Sequence, residues 1–278
     1  MALLNPWTET AAILCIALLG IYAGKVFARF RSPYWLAGYL IPFLVIIFLV
    51  IGRFNNRLAY SSALCSVVAG RAKFGILAFV ITMGLTTPIS RLGRSFQRIM
   101  TAILMFIVVG WFCVLPFLTP ALIKDSLLRL PTIVNAEGIC FQSTDYTCGP
   151  AAAVTALGKL GFKADEGRLA VLSHTNPLFG TLPVCLRDTL EECFADEGLE
   201  CRYRYFDSVD QLKNAPVTLA VVKNSFFSDH CVAVLEVSNG KVIFADPVIG
   251  KVSMSYRQFR KIWRFSGITL KISPSKSI

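Results

Sequence analysis

The stretch that decides how this chain folds is residues 141–152, which read FQSTDYTCGPAA. Pro150 suits the first turn of a helix, because proline lacks an N–H that would have no partner there. Residues 151–160 continue as a strong helical segment, and Gly161 marks its end. The pattern therefore places the thiol of Cys148 at the point where a loop becomes a helix.

The sequence after this helix predicts one more helix and then a sheet. Residues 183–195 have a helical pattern that ends near Gly198. Alternating or β-branched residues predict strands, and Asn239-Gly240 is a turn signal between the last two. The predicted strands are 201–206, 217–223, 230–237 and 241–245. Helices followed by an antiparallel sheet form an α+β arrangement.

The region before this domain differs sharply in composition. Of the 278 residues, 55% are hydrophobic and only 16% are charged. Residues 1–130 carry 12 Lys and Arg but only two acids, Glu9 and Asp125, whereas residues 131–278 carry 16 basic and 15 acidic residues. The net charge of +11 therefore lies almost entirely in the apolar half. A nucleic-acid binder concentrates its charge on the folded domain, so nucleic acid is not an expected partner.

Four apolar stretches interrupt these basic residues, at roughly 8–24, 35–51, 74–90 and 99–120. Each is close to the ~20 residues that a helix needs to cross a bilayer. Residues 1–130 are therefore expected to form a membrane region with about four transmembrane helices, followed by a separate domain at 131–278. The segment 58–70 is apolar but short, and it could extend the third helix, lie in the interface or re-enter the membrane.

The membrane face of the second domain is left open by the sequence. With four spans, the loops on each side hold six Lys and Arg residues, so the charge bias gives no orientation. An even number of spans places the second domain on the same side as the N-terminus, and a fifth span would reverse this.

The chain contains nine cysteines and two histidines, His174 and His230. No CxxC pair occurs and the histidines are isolated, so neither a metal nor an organic cofactor is expected. Three cysteines in the second domain leave two alternatives open, a disulfide outside the cytoplasm or small buried thiols in a reducing compartment. These are Cys185, Cys193 and Cys201.

Cys148, His230, Asp246 and Gln142 form the candidate catalytic set. A thiolate is the reactive form of cysteine, and the positive end of a helix dipole stabilises its charge. His230 would act as the base, and Asp246 would orient it. The side-chain amide of Gln142 and the backbone N–H of Cys148 could donate to a developing oxyanion. Asp229 is a rival orienting group, but on a regular strand it faces away from its neighbour His230.

The spacing between His230 and Asp246 carries a geometric condition. A strict two-residue turn at 239–240 pairs residue 246 with residue 233, which points His230 and Asp246 to opposite faces of the sheet. Pairing of residue 246 with residue 232 would instead make the two side chains diagonal neighbours. We therefore expect a longer turn, a bulge, or an Asp246 that has left the strand before Pro247.

The motifs together resemble the bacteriocin-processing, or double-glycine, peptidases, which are papain-like cysteine peptidases. The resemblance rests on Gln142 with the Cys-Gly-Pro-Ala loop, the Asp-His-Cys-Val-Ala-Val strand and the Ala-Asp-Pro segment. It covers roughly residues 138–265 and implies a papain-like α+β fold, with Cys148 as nucleophile, His230 as base, Asp246 as orienting acid and Gln142 in the oxyanion hole. The family often has aspartate before the cysteine, where this chain has Thr147.

The resemblance and the apolar half together predict a membrane-bound cysteine endopeptidase with a peptide or protein substrate. The expected location is a bacterial inner membrane, where the lipid bilayer and an unidentified membrane protein would be partners. Family members are commonly fused ahead of an exporter, whereas here the peptidase segment follows the helices and no Walker GxxxxGK[ST] motif occurs. Two alternatives stay open, an acyl or peptidyl transferase on the same fold and a non-catalytic peptide-binding module.

Overall fold

The structure is a computed structural model that describes residues 5–54, 67, 69–215, 217–225 and 228–273. It divides after Leu122 into two compact units, one ending there and one beginning at Ile123. The short apolar segment 58–70 lies almost wholly outside the described residues.

The first unit is entirely helical in its described part. Four of its helical runs are long and apolar enough to cross a membrane, and they coincide with the four stretches expected from the sequence. The helices are α1 (Pro6–Ala28), α2 (Ala37–Phe54), α3 (Ala72–Ile89), α4 (Ser95–Val109) and α5 (Leu115–Leu122), with a 3₁₀ turn at Tyr34–Leu36 and a π-helical turn at Gly110–Val114.

Small residues bring α1 and α3 into close contact. Gly20 and Gly24 lie one turn apart on α1, and a Cβ on Gly24 would lie 2.7 Å from the carbonyl oxygen of Met83. Such spacing of small residues lets helix backbones approach closely, as in packed membrane helices. On α3, the hydroxyl of Thr82 donates to the Ala78 carbonyl at 2.6 Å, which satisfies a polar group inside this unit.

One ion pair lies near the ends of these helices. Glu9, in the first turn of α1, forms a salt bridge with Arg71, just before α3. The Arg71 guanidinium also sits 4.2 Å from the centre of the Phe117 ring. A charge in an apolar region is retained where it is paired in this way.

The second unit has an α+β fold, as the sequence predicts. Its helices are α6 (Lys124–Leu128), α7 (Cys148–Lys159), α8 (Glu166–Leu172), α9 (Pro183–Cys193), α10 (Asp210–Lys213) and α11 (Tyr256–Ile262). Its strands are β1 (Ile133–Val134), β2 (Cys140–Phe141), β3 (Leu199–Tyr205), β4 (Val217–Lys223), β5 (Asp229–Ser238), β6 (Lys241–Asp246), β7 (Gly250–Ser255) and β8 (Trp263–Ile272).

The six longer strands make one antiparallel sheet in the order β3-β8-β4-β5-β6-β7, and β1 pairs with β2 separately. Helix α7 is buried from Gly149 to Leu157. Its residues share an apolar core with residues of α9 and of strands β3, β4, β5 and β8. A helix hydrophobic all round is a buried helix, so α7 is a rigid support for the residue at its first position, Cys148.

Candidate active site

Cys148 begins α7, as the sequence predicts, and its side chain is half-buried. The turn before it is closed by Thr147, which is fully buried. The Thr144 N–H donates to the Thr147 hydroxyl at 3.1 Å, and the Thr147 N–H donates to the Thr144 carbonyl at 3.3 Å. The threonine that stands where the resembling family often has aspartate therefore holds this turn with a side-chain oxygen acceptor.

His230 and Asp246 meet through the register of β5 and β6. The turn at Asn239-Gly240 has two residues, since Ser238 pairs with Lys241. A bulge between Val234 and Glu236 then shifts the pairing so that Ala233 faces Ala245. Residue 246 therefore lies opposite residue 232, and of the three expected alternatives the bulge is the one that the chain adopts.

The two side chains are joined directly, because Nε2 of His230 lies 2.9 Å from Oδ1 of Asp246. The Val248 N–H donates to the same carboxylate oxygen at 2.8 Å. Asp246 is the last residue of β6 and has not left the strand. Since Nε2 is engaged with Asp246, Nδ1 is the ring nitrogen left to interact with the nearby Cys148 thiol.

This arrangement favours a charged imidazole. Burial lowers the pKa of His230, but its hydrogen bonds with Asp246 and Cys148 and the charges of those two groups raise that pKa from 6.5 to about 9. Burial also raises the pKa of Asp246, yet hydrogen bonds from His230 and Val248 hold that pKa below its ordinary value. At neutral pH the pair is therefore a carboxylate beside an imidazolium, near the Cys148 thiol.

Gln142 approaches this group through its backbone. Its N–H donates to the carbonyl of Pro247, the residue after Asp246, at 2.9 Å. Its side chain is half-buried, and Oε1 is buried without a hydrogen-bond partner in the described part of the chain. A hydrogen bond thus links the side chains of His230 and Asp246, and a second one joins Gln142 through the main chain to the residue after Asp246.

The rival carboxylate, Asp229, has a different partner. Its Oδ1 accepts a hydrogen bond from Nε of Arg264 at 2.7 Å. This agrees with the expectation that Asp229 faces away from His230.

Sequence reasoning missed one polar residue next to the site, Glu166. Its carboxylate is fully buried and accepts hydrogen bonds from both the N–H and the hydroxyl of Ser143, the residue after Gln142. The one indication in the sequence was Asp165, a residue type that caps helices. In the structure it caps α8 by accepting a hydrogen bond from the Arg168 N–H at 2.7 Å, and Glu166 lies in the first turn of that helix. That signal marks a helix start but says nothing about burial.

The remaining cysteines and acids give no second centre among the described residues. Every cysteine in this part of the chain is a free thiol. No group of three or more His, Cys, Asp or Glu side chains there could hold a metal ion.

The geometry can be compared with known proteins. An uncharacterised protein of Methanothermobacter thermautotrophicus is 29% identical over 145 residues, covering 51% of this chain and 93% of that protein. A second, from Methanothermobacter marburgensis, is 29% identical over 144 residues with the same coverage of 51% and 93%.

Two solved structures are similar to the second unit. One is the peptidase domain of Streptococcus ComA, a bifunctional ABC transporter involved in quorum sensing, with 24% identity, 48% of this chain and 96% of that chain covered, and a TM-score of 0.42. The other is a double-glycine motif protease from an AMS/PCAT transporter in complex with the leader peptide, with 16% identity, 52% and 94% coverage, and a TM-score of 0.41.

The family comparison covers a similar share of the chain. The peptidase C39 family matches residues 137–277, which is half of the chain and includes the entire candidate site. The chain therefore belongs to the peptidase C39 family and is a cysteine peptidase.

Proposed function

We propose that this protein is a membrane-bound endopeptidase in which Cys148 is the nucleophile, His230 the general base and acid, and Asp246 the orienting carboxylate. One observation carries the proposal: Nε2 of His230 lies 2.9 Å from Oδ1 of Asp246, and Cys148 is close enough to raise the pKa of the same ring. A base held between its nucleophile and a carboxylate is the arrangement that activates a thiol.

The proposed reaction has two stages. The Cys148 thiolate attacks the carbonyl carbon of a peptide bond and forms a tetrahedral oxyanion. His230 then gives its proton to the leaving amine, which breaks the C–N bond and leaves a thioester on Cys148. Water, deprotonated by His230, hydrolyses the thioester and restores the thiol.

Gln142 is proposed to stabilise the oxyanion. Its Oε1 is buried, so Nε2 is the end of the amide available to donate to a substrate oxygen. The N–H of Cys148, at the start of α7, is the second proposed donor. Removal of one such donor costs about a hundredfold to a thousandfold in kcat in a comparable enzyme.

The four long apolar helices support location in a cell membrane, with lipid as the surroundings of the first unit. We propose that residues 1–130 form the membrane region and that residues 131–278 carry the peptidase activity. The substrate is proposed to be a peptide or a protein delivered at the membrane. The solved relative in complex with a leader peptide supports a peptide segment as the group recognised.

Thiol labelling tests the mechanism. The purified protein would be treated with iodoacetamide at neutral pH, and each cysteine followed by mass spectrometry. Burial, with the nearby charges of Glu166 and Asp165, raises the pKa of Cys140 to about 12. Burial also raises the pKa of Cys201 to about 12. We expect Cys148 to react at least about tenfold faster than the exposed Cys193, because it begins α7 and lies near the charged ring of His230.

His230→Ala should remove this advantage, and His174→Ala is the matched control that should keep it. Cys148→Ala should abolish cleavage of a peptide substrate. Equal labelling of Cys148 and Cys193, or cleavage that survives Cys148→Ala, would contradict the proposal.

A further inference from the structure

Glu166 is a buried carboxylate with an unusual set of partners. It is the first residue of α8 and has no exposed surface. Its Oε1 accepts from the Ser143 N–H at 2.9 Å, and its Oε2 lies 2.8 Å from the Ser143 hydroxyl. Among the described residues, no Lys, Arg or His side chain forms a salt bridge with it.

Burial of a carboxylate without a cationic partner is unfavourable, and an apolar side chain would fill the same space without that penalty. The two bonds to Ser143 are therefore the feature that distinguishes Glu166 from a packing residue. Both bonds end on the residue directly after Gln142, at the start of the loop that leads to Cys148.

The loop between Gln142 and Cys148 has two separate attachments. Its far end is closed by the mutual bonds of Thr144 and Thr147 and continues into the buried helix α7. Its near end is held by Glu166, and the Ser143 hydroxyl also lies 2.7 Å from the Pro131 carbonyl oxygen. Loss of Glu166 should therefore affect Gln142 more than Cys148.

The carboxylate is itself fixed in place. The Glu166 N–H donates to the Thr132 hydroxyl at 3.0 Å, and that hydroxyl donates to Asp165, the cap of α8, at 2.8 Å. Ser143 is thus attached to the start of a helix rather than to a mobile surface group. A donor held in one orientation before the reaction needs no rearrangement during it.

We propose that Glu166 is a positioning residue that holds Ser143 so that the Gln142 amide is directed at the oxyanion; this rests on the proposed function. Glu166 does not touch the reacting atoms. It acts through Ser143 and Gln142, and its removal should lower the rate of the chemical step without weakening the reactivity of the Cys148 thiol.

The first test is a double-mutant cycle on the full-length protein in detergent micelles. Turnover is measured with a fluorogenic peptide that has Gly-Gly before the coumarin amide. Glu166→Ala should lower kcat about tenfold or more, leave KM within about twofold and leave the iodoacetamide rate of Cys148 unchanged. In a Gln142→Ala background, Glu166→Ala should lower kcat by less than about twofold, because the amide that Glu166 positions is already absent.

Glu166→Gln should retain most of the activity. Its carbonyl can accept from the Ser143 N–H, and its amide can donate to the Ser143 hydroxyl while that hydroxyl donates to Pro131. Glu197→Ala, at an exposed position, is the matched control and should change nothing. If Glu166→Ala does not fold, Ser143→Ala takes its place in the cycle, since it removes only the hydroxyl.

Hydrogen–deuterium exchange supplies a readout that needs no activity. The Thr144 and Thr147 amides do not bond Glu166, so faster exchange of peptides spanning 142–148 in Glu166→Ala would show that the loop has lost its position. If wild type lacks turnover that depends on Cys148, the proposed function fails and exchange alone decides the role of Glu166. A folded Glu166→Ala with unchanged exchange, or with a kcat loss that persists fully in Gln142→Ala, would overturn the inference.

Discussion

At the scale of single residues, His230 decides which charges the site holds. Its pKa of about 9 is the outcome of opposed effects, because burial favours the neutral ring whereas Asp246 and Cys148 favour the charged ring. The effects that raise the pKa win, since Oδ1 of Asp246 lies 2.9 Å from Nε2 of the ring and Cys148 acts in the same direction. The charged imidazolium is therefore present below about pH 9 and lost as the pH rises through that value.

Asp246→Asn should move this loss to lower pH. The hydrogen bond to Asp246 is the largest of the effects that raise the pKa of His230, while burial continues to lower it. We expect the alkaline limb of the pH profile for Cys148 alkylation to shift down by about one pH unit, the usual size of such an interaction. Alkylation rates measured across neutral and alkaline pH give the limb directly.

Asp229→Asn is the matched control, because this carboxylate is adjacent in sequence but bonds Arg264. It should leave the alkaline limb where it is in the wild type. An equal shift in both variants would mean that general charge, and not the bond to His230, sets the pKa.

At the scale of elements, the sequence was most informative where two candidate catalytic side chains on neighbouring strands had to lie on the same face of the sheet. The spacing of His230 and Asp246 demanded a bulge, a longer turn or a broken strand, and the bulge near Leu235 is the solution adopted. The choice among the three depends on packing, because the side chain of Leu235 contacts the core beside α7. Spacing alone does not contain that information.

Strand β8 shows what the sequence could not reveal. It lies inside the sheet between β3 and β4, yet its sequence WRFSGITLKI was not recognised as a strand. Arg264, Ser266 and Gly267 interrupt its apolar pattern, and its partners begin more than 40 residues earlier in the chain. Glu166 was missed for a related reason, because burial of a charged residue arises only from tertiary structure.

One hydrogen bond connects β2, which leads to Gln142, with α7, which carries Cys148. The buried Cys140 N–H donates to the Thr155 hydroxyl at 2.9 Å. Thr155→Val keeps the shape but leaves this N–H without an acceptor, which should lower the free energy of unfolding by about 1–3 kcal/mol. We expect Tm to fall by several degrees, as measured by thermal unfolding monitored through tryptophan fluorescence.

Thr269→Val is the control for this change. The Thr269 hydroxyl donates at 3.2 Å to the Arg202 carbonyl, in a strand already paired with β8, so its loss leaves no backbone N–H without a partner. A Thr155→Val variant no less stable than Thr269→Val would show that the bond to Cys140 contributes nothing.

At the scale of the whole molecule, the position of the domain boundary can be tested. The expected boundary follows residue 130, whereas the second compact unit begins at Ile123. Leu127, on α6, is 1% exposed, and a Cβ on Gly167 of α8 would collide with its carbonyl oxygen. Burial of a leucine side chain contributes about 1.5–3 kcal/mol.

A fragment of residues 123–278 should therefore be more stable to urea than a fragment of residues 131–278. Leu127→Ala in the longer fragment should reproduce most of the difference, since it removes the buried side chain and keeps the chain length. If both fragments unfold at the same urea concentration, α6 is not part of the stable peptidase unit.

The number of spans decides whether the N-terminus and the peptidase domain lie on the same side of the membrane. The distribution of Lys and Arg residues does not orient the chain. Basic residues are balanced between the two sets of loops, so the usual excess on the cytoplasmic side does not orient the chain. The described residues contain four helices able to cross a bilayer. An even number of crossings returns the chain to the side on which it began.

We therefore expect residue 1 and the peptidase domain to lie on the same side of the membrane. Green fluorescent protein, which fluoresces only when it folds in the cytoplasm, would be fused to either end, with alkaline phosphatase fusions as the reciprocal control. Both fluorescent fusions should be bright or both dark, because each crossing reverses the side and four reversals cancel. One bright and one dark fusion would require an odd number of crossings, and the apolar segment 58–70 would then be the place to look for the fifth.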